Sequence, residues 1–248
     1  MQPWIVALCM LSAGVGSAHA AEVKVAVAAN FTAPMQKIAA AFAQDTGHRA
    51  VLAFGSTGKF YAQIGQGAPF EVLLAADDET PARLEAEGRA VAGTRYTYAI
   101  GRLALWSRQP GFVDESGEVL RRGSFRRLAL ADAKLAPYGA AAVEVLNGLG
   151  LMAVLTPTFV QGENIAKTYQ FAATGNAELG FVALSQVWAD GKLKAGSAWV
   201  VPARLHTPLL QDAILLKPGQ GQAAAAALMN YLRGEKARTI IRSFGYDL

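Results

Sequence analysis

Two short polar segments of the sequence combine groups that could hold an anion. Asn30 and Thr32 follow one apolar, β-rich run, while Ser56 and Thr57, flanked by glycines, follow the next one. Each segment comes just before a helical pattern, and the unpaired N–H groups and dipole of a helix start favour negative charge. Ligands of open α/β folds bind at the carboxyl ends of parallel strands. The two junctions therefore predict an oxyanion site built from neutral donors.

Other roles fit the same residues, and each makes a demand on the surrounding sequence. Asn30 and Thr32 could simply be helix N-caps. A P-loop needs a glycine five residues before Gly58 and a hydroxyl after Lys59, and the sequence has neither. Ser56 and Lys59 match the Ser-x-x-Lys motif of penicillin-recognising enzymes, although no Ser-Asp-Asn or Lys-Thr-Gly follows it. Acyl transfer by Ser56 therefore remains the enzyme alternative.

The sequence offers few side chains that could bind a metal or act in acid–base chemistry. His48 and His206, the histidines of the predicted mature chain, lie in no ligand-spaced cluster. Asp77 and Asp78 end a predicted strand, where they could bind a cation or cap the turn that leads to Pro81. With no nucleophile, base and orienting group together, we predict a protein without catalytic residues, cofactor or direct metal ligands.

The N-terminal segment is typical of an export signal. Residues 1–21 carry no Asp, Glu, Lys or Arg, and their apolar centre is too short to span a bilayer. Ala18-His19-Ala20 suits signal peptidase, so cleavage near Ala20 or Ala21 is expected. Cys9 is the only cysteine and lies inside this segment. The sequence predicts a periplasmic mature protein without disulfides.

The composition excludes several classes of partner. Apolar residues make up 52% of the chain and charged residues 17%, with a net charge of +4. No further run of about 20 apolar residues follows residue 21, so we expect no membrane span. The arginines at 121, 122, 126 and 127 flank one short segment and indicate a solvated loop, because nucleic-acid binding needs a concentrated basic face. We expect a monomer that binds no nucleic acid.

Strand-like and helical patterns alternate along the chain, which predicts an α/β fold with mainly parallel sheets. The pattern includes one long strand at residues 98–107 and one long C-terminal helix at residues 222–244. Two batches of such units predict two lobes, with crossings near residues 98 and 205. We assign residues 22–100 and 206–248 to the first lobe and residues 101–205 to the second.

A set of short motifs, spread over the whole predicted mature chain, resembles in order and spacing the periplasmic molybdate-binding proteins of molybdate ABC transporters. The motifs are Ala28-Ala29-Asn30-Phe31, Phe54-Gly55-Ser56-Thr57-Gly58, Gln63-Ile64 with Gly67-Ala68-Pro69, Ala75-Ala76-Asp77, Tyr98-Ala99-Ile100-Gly101, Ala136-Pro137-Tyr138-Gly139, Gly162-Glu163-Asn164-Ile165 and Glu178-Leu179-Gly180-Phe181-Val182. The resemblance implies a two-lobed type II periplasmic-binding-protein fold with the ligand in the cleft. It also implies capture of molybdate or tungstate for the membrane permease of an ABC importer. Sulfate or phosphate is the alternative ligand.

The resemblance also implies ligand-binding positions. They are the backbone N–H of Ala29, the side chain and backbone of Asn30, the hydroxyl of Thr57, the backbone or phenol of Tyr138, and the backbone N–H of Ile165. Many members of the family have Ser or Thr at the position of Ala29, so one hydroxyl is absent here. Tyr138 could instead be an aromatic residue that only packs under a loop.

Overall fold

The computed structural model describes residues 20–248. The signal-peptide prediction falls almost wholly on residues 1–19, outside this range. The described strands are β1 (Glu22–Ala28), β2 (Arg49–Gly55), β3 (Val72–Leu74), β4 (Tyr96–Gly101), β5 (Leu103–Ser107), β6 (Leu128–Ala131), β7 (Phe159–Gly162), β8 (Leu179–Ala183), β9 (Trp188–Ala189), β10 (Lys192–Leu193), β11 (Ser197–Val200) and β12 (Leu209–Leu215).

Helices follow most of these strands and cover the sheets. They are α1 (Thr32–Thr46), α2 (Thr57–Gly65), α3 (Glu79–Ala86), α4 (Val119–Arg122), α5 (Pro137–Gly148), α6 (Met152–Leu155), α7 (Ile165–Thr174), α8 (Leu184–Val187), α9 (Ala223–Arg233) and α10 (Glu235–Ser243). Short 3-10 turns lie at Ala29–Phe31, Thr156–Thr158, Ala203–Leu205 and Lys217–Gly219.

The first sheet has the strand order β2-β1-β3-β12-β4. Strands β1, β2 and β3 are parallel to one another, and β12 pairs antiparallel with both β3 and β4. One face packs against α1, α9 and α10 through a core that includes Phe31, Phe42 and Leu228. The sheet therefore brings the carboxyl ends of β1 and β2 to one edge, where residues 29–31 and 56–57 follow.

The second sheet has the order β11-β5-β8-β6-β7. Strands β6, β7 and β8 are parallel, and β5 runs antiparallel to β8 and β11. Helices α5 and α7 pack on this sheet and begin at the residues that follow β6 and β7. The predicted α/β class is confirmed: two mainly parallel sheets flanked by helices, each with a single antiparallel strand.

Two elements that the sequence predicts to be continuous are each broken in the structure. The single strand at residues 98–107 is two strands, β4 and β5, that lie in different sheets on either side of Arg102. The single helix at residues 222–244 is α9 followed by α10, because Gly234 has extended backbone angles that no helix accommodates. In both segments the spacing of apolar residues continues on either side of the break, and periodicity alone does not locate a turn inside such a pattern.

Within residues 20–248, no single helix has the length and apolar character of a membrane span. The pair Pro137–Gly148 and Met152–Thr158 meets the criterion only together, and it bends by 117° at its break.

Candidate anion-binding site

The five predicted site residues line one small cavity where the two sheets face each other. Ala29 and Asn30 follow β1, Thr57 follows β2, and Tyr138 and Ile165 lie at the starts of α5 and α7. The cavity is small, with an internal volume of about 10 Å³. Its full lining is Ala28, Ala29, Asn30, Gly55, Ser56, Thr57, Ala76, Ala136, Pro137, Tyr138, Asn164 and Ile165. Segments separated by more than 100 residues thus converge on one small cavity.

Four helical segments begin at this cavity, and the backbone N–H groups at helix starts favour negative charge. Ala29 opens a 3-10 turn, Thr57 opens α2, Tyr138 is the second residue of α5, and Ile165 opens α7. The first N–H groups of a helix have no acceptor inside it. Among residues 20–248, the hydrogen bonds outside regular helices and strands include no acceptor for the N–H groups of Thr57, Tyr138 and Ile165. The helix starts therefore leave backbone donors for a bound anion.

The Thr57 hydroxyl is held in position to donate a hydrogen bond. Its Oγ1 accepts a hydrogen bond from the N–H of Ala76 at 3.0 Å, and the side chain is buried. A hydroxyl that has accepted one hydrogen bond still has its own proton to donate. The neighbouring backbone thus fixes the oxygen, and its proton is available to an anion in the cavity.

The Asn30 side chain is engaged inside the protein. Its Nδ2 donates to Oε1 of Gln211 at 2.9 Å and to the hydroxyl of Tyr246 at 3.0 Å. Asn30 does not cap α1, since the N-cap position is Phe31 and no side chain caps there; Thr32 donates instead to the carbonyl of Ala29. The N-cap alternative is therefore wrong for both residues. In this arrangement the side-chain amide of Asn30 fixes its loop.

A buried network holds the Tyr138 phenol. Tyr138 is 1% exposed, and its oxygen accepts from Nε2 of Gln211 at 3.0 Å. The hydroxyl of Tyr98 in turn donates to Oε1 of Gln211 at 3.1 Å. Burial raises the pKa of Tyr138 well above its ordinary value, so the phenol keeps its proton at neutral pH. Tyr138 can therefore offer a hydrogen-bond donor.

Gly101 makes room for this network. A Cβ at Gly101 would lie 2.5 Å from Nε2 of Gln211 and closer still to the Tyr138 oxygen. Glycine is thus required where β4 ends, at the point where the chain leaves the first sheet.

Sequence reasoning did not find three residues that hold the site from behind. Gln211, Ser185 and Tyr246 are all buried. Ser185 Oγ donates to the carbonyl of Asn30 at 2.8 Å, and it lies 3.0 Å from the Tyr246 hydroxyl. One signal was available: Gln211 and Asp212 are adjacent polar residues inside an otherwise apolar strand pattern, and both are buried. Buried polar side chains need partners, so such a residue indicates a network.

The lining of the cavity is electrically neutral. Its twelve residues include no Asp, Glu, Lys, Arg or His. Lys59, which follows Thr57 by two positions, does not line the cavity. It pairs with Glu163 across the cleft, with 2.5 Å between Nζ and Oε2. No group of three or more His, Cys, Asp or Glu residues that could hold a metal ion occurs within residues 20–248.

The Ser-x-x-Lys alternative finds no geometric support. Among the described residues, Ser56 Oγ has no hydrogen-bond partner, so no base activates it. The Lys59 amine is occupied by the carboxylate of Glu163 at the partly exposed rim. A serine nucleophile needs a base within hydrogen-bond reach.

A larger cleft, of about 290 Å³, adjoins the cavity and contains Asp77. Asp77 Oδ1 accepts from the N–H of Thr80 at 2.8 Å, which confirms the capping interpretation of this residue. Burial raises the pKa of Asp77 to about 6. The carboxyl is thus a structural group whose charge is disfavoured by its surroundings.

Known proteins resemble this chain in both sequence and fold. The family model described as bacterial extracellular solute-binding protein matches residues 23–247. The chain belongs to this family. It is 58% identical over 232 residues to the molybdate-binding protein ModA of Azotobacter vinelandii, covering 94% of this chain and 92% of the relative. It is 52% identical over 229 residues to ModA of Rhodobacter capsulatus, covering 92% and 89%.

A solved structure of the family agrees in fold. The periplasmic molybdate-binding protein of Azotobacter vinelandii superimposes with a TM-score of 0.89 and 41% sequence identity, covering 91% of this chain and 99% of the other. The resemblance stated from the sequence motifs is confirmed.

Proposed function

We propose that this protein captures molybdate, and tungstate by the same geometry, and delivers it to the membrane permease of an ABC importer. The observation that carries the proposal is the neutral cavity between the two sheets, where α2, α5 and α7 begin with N–H groups that have no acceptor inside their own helix. A dianion can be held there because charge-assisted hydrogen bonds and helix dipoles supply the field. The ligand contacts are the backbone of Ala29, Asn30, Tyr138 and Ile165, with the hydroxyls of Thr57 and Tyr138.

The family supports the transport role. The relatives that share more than half of their residues with this chain are named molybdate-binding proteins. A binding protein rather than an enzyme also fits a site in which no buried nucleophile meets a base. The proposal includes export through residues 1–21, a periplasmic location and a monomeric state.

Selectivity follows from fixed donors. Molybdate and tungstate are larger than sulfate, and backbone N–H groups at the starts of packed helices cannot all follow a smaller ion inward. Each donor left unpaired would cost about 1 to 3 kcal/mol. Sulfate and phosphate are therefore the alternative ligands that the site should bind more weakly.

Calorimetric titration of the ligand-free protein tests the proposal. We expect molybdate and tungstate each to bind at one site per chain, with sulfate and phosphate at least about 100-fold weaker, which corresponds to two unpaired donors. Heat from sulfate or phosphate alone would show that the cavity serves a different oxyanion.

A further inference from the structure

Ser56 carries a buried hydroxyl that has no hydrogen-bond partner. The residue is 3% exposed, and its Oγ is the one buried side-chain nitrogen or oxygen within residues 20–248 that lacks a partner. Native proteins rarely leave such an atom unpaired, because its water contacts are lost on folding and not replaced. An unpaired hydroxyl in a ligand site therefore indicates a partner that arrives with the ligand.

The place of Ser56 in the fold connects this hydroxyl to the anion cavity. Ser56 lines the cavity beside Thr57 and across from Tyr138 and Ile165. It stands at the N-cap position of α2 with extended backbone angles, φ −78° and ψ 148°. A neutral hydroxyl matches the remainder of the lining, which is uncharged.

The ordinary local role of a serine at this position is not used. An N-cap serine usually accepts a hydrogen bond from the N–H of the second or third helical residue. Here no side chain caps α2, and the N–H of the second residue, Gly58, donates to the carbonyl of Leu135 at 3.0 Å. Helix capping therefore does not account for the hydroxyl.

We infer that Ser56 is a further anion-binding residue, whose Oγ donates a hydrogen bond to an oxygen of the bound tetrahedral oxyanion. This inference rests on the proposed function and adds a contact to it. Together with Thr57, it gives the start of α2 two adjacent hydroxyl donors besides the backbone. Ser56 belongs to the part of the site that is satisfied only when the anion is present.

The test is Ser56→Ala, with Ser197→Ala as the matched control. Ser197 is also a buried serine, but its hydroxyl donates to the carbonyl of Gln109 at 2.6 Å and accepts from the N–H of Val113 at 2.9 Å, outside the cavity lining. Ser56→Ala should raise the Kd for molybdate about 10- to 100-fold, as for a lost hydrogen bond to a charged group. The melting temperature of its ligand-free form should stay unchanged or rise, because the substitution removes an unpaired polar atom.

Ser197→Ala should give the opposite pair of results, a lower melting temperature and an unchanged Kd. Ser56→Gly, which keeps a residue favoured at N-caps, repeats the deletion in case the alanine variant is poorly folded. An unchanged molybdate Kd in both Ser56 variants would overturn the inference while leaving the proposed function intact. If the wild-type protein binds no tetrahedral oxyanion, the proposed function fails and this inference fails with it.

Discussion

At the scale of single residues, the Thr57 hydroxyl is held in place by the N–H of Ala76 and retains its own proton. Thr57→Val keeps the shape of the side chain and removes that donor. We expect the Kd for molybdate to rise about 10-fold or more, since a hydrogen bond to a charged group contributes about 1.5 to 3 kcal/mol. Calorimetric titration measures the change. Thr57→Ser, which keeps the hydroxyl, should bind almost as wild type; equal loss in both variants would assign the effect to packing.

The Tyr138 phenol should contribute through the same kind of bond. Tyr138→Phe removes a cavity-lining donor and the acceptor of Gln211 Nε2, so we expect about 10-fold weaker molybdate binding. Tyr98→Phe is the control, because Tyr98 also touches Gln211 but does not line the cavity. Both variants should lose some thermal stability. Only Tyr138→Phe should lose affinity, and equal affinities in the two variants would remove the phenol from the site.

The raised pKa of Asp77 predicts that the stability of the folded protein depends on pH. Its pKa of about 6 lies above the ordinary value of 3.8, so the folded protein binds more protons than the unfolded chain between these two values. Stability from this group therefore falls as the pH rises from about 4 to 6 and stays lower above that range. Asp77→Asn keeps an acceptor for Thr80 and should gain on the order of 2 kcal/mol at pH 8 over wild type. Denaturant unfolding should show the gain vanish near pH 4; a gain independent of pH would contradict the assignment.

At the scale of elements, α2 meets the loop before α5 without side chains between them. The N–H of Gly58 donates to the carbonyl of Leu135, and a Cβ on Gly58 would lie 3.1 Å from the Leu135 Cα. This contact joins a helix of the first sheet to a loop of the second. Glycine at position 58 thus permits the close approach that encloses the cavity.

Gly58→Val should hold these two elements apart and weaken molybdate binding about 10-fold or more, although Gly58 offers the ligand no side chain. Gly65→Val is the control, because Gly65 lies in the same helix and has nothing within 4 Å of an added Cβ. Small-angle scattering with saturating molybdate should give a larger radius of gyration for Gly58→Val alone. Wild-type affinity in this variant would show that the contact is not needed for closure.

The elements themselves were largely predictable from local patterns. The face of α1 that contains Met35, Ile38 and Phe42 is buried, and the spacing of these residues in the sequence is that of one helix face. Local patterns did not reveal the breaks at Arg102 and Gly234, because the spacing of apolar residues continues on both sides of each break. Chain reversals of this kind depend on which sheet the next segment joins, and that is a tertiary property.

The convergence of the candidate residues was predictable where it depends on helix starts and motif order. All five residues named from the sequence line one cavity. The residues behind them were not found, because Asn30 and Gln211 are 181 positions apart and Asn30 and Tyr246 are 216 apart. No local spacing connects such positions. Their only sequence signal is polarity inside a buried pattern, which indicates a partner without naming it.

At the scale of the whole molecule, the two sheets meet through polar contacts around a neutral centre. The Lys59–Glu163 pair, the Gly58–Leu135 hydrogen bond and the Ser185–Asn30 hydrogen bond all join segments that follow strands of different sheets. Since each contact needs the two halves close together, a ligand that draws them together gains all of these contacts at once. This arrangement is typical of hinge closure around a ligand.

In the proposed complex, uncharged donors alone enclose a doubly charged ion. A crystal structure of the protein grown with molybdate, with anomalous diffraction measured at the molybdenum absorption edge, tests it most directly. We expect one anomalous peak per chain in the cavity lined by Asn30, Thr57, Tyr138 and Ile165, with N–H and O–H groups within hydrogen-bond distance of the oxyanion and no lysine or arginine head in contact. A peak elsewhere, or an oxyanion paired with a cationic side chain, would contradict the account.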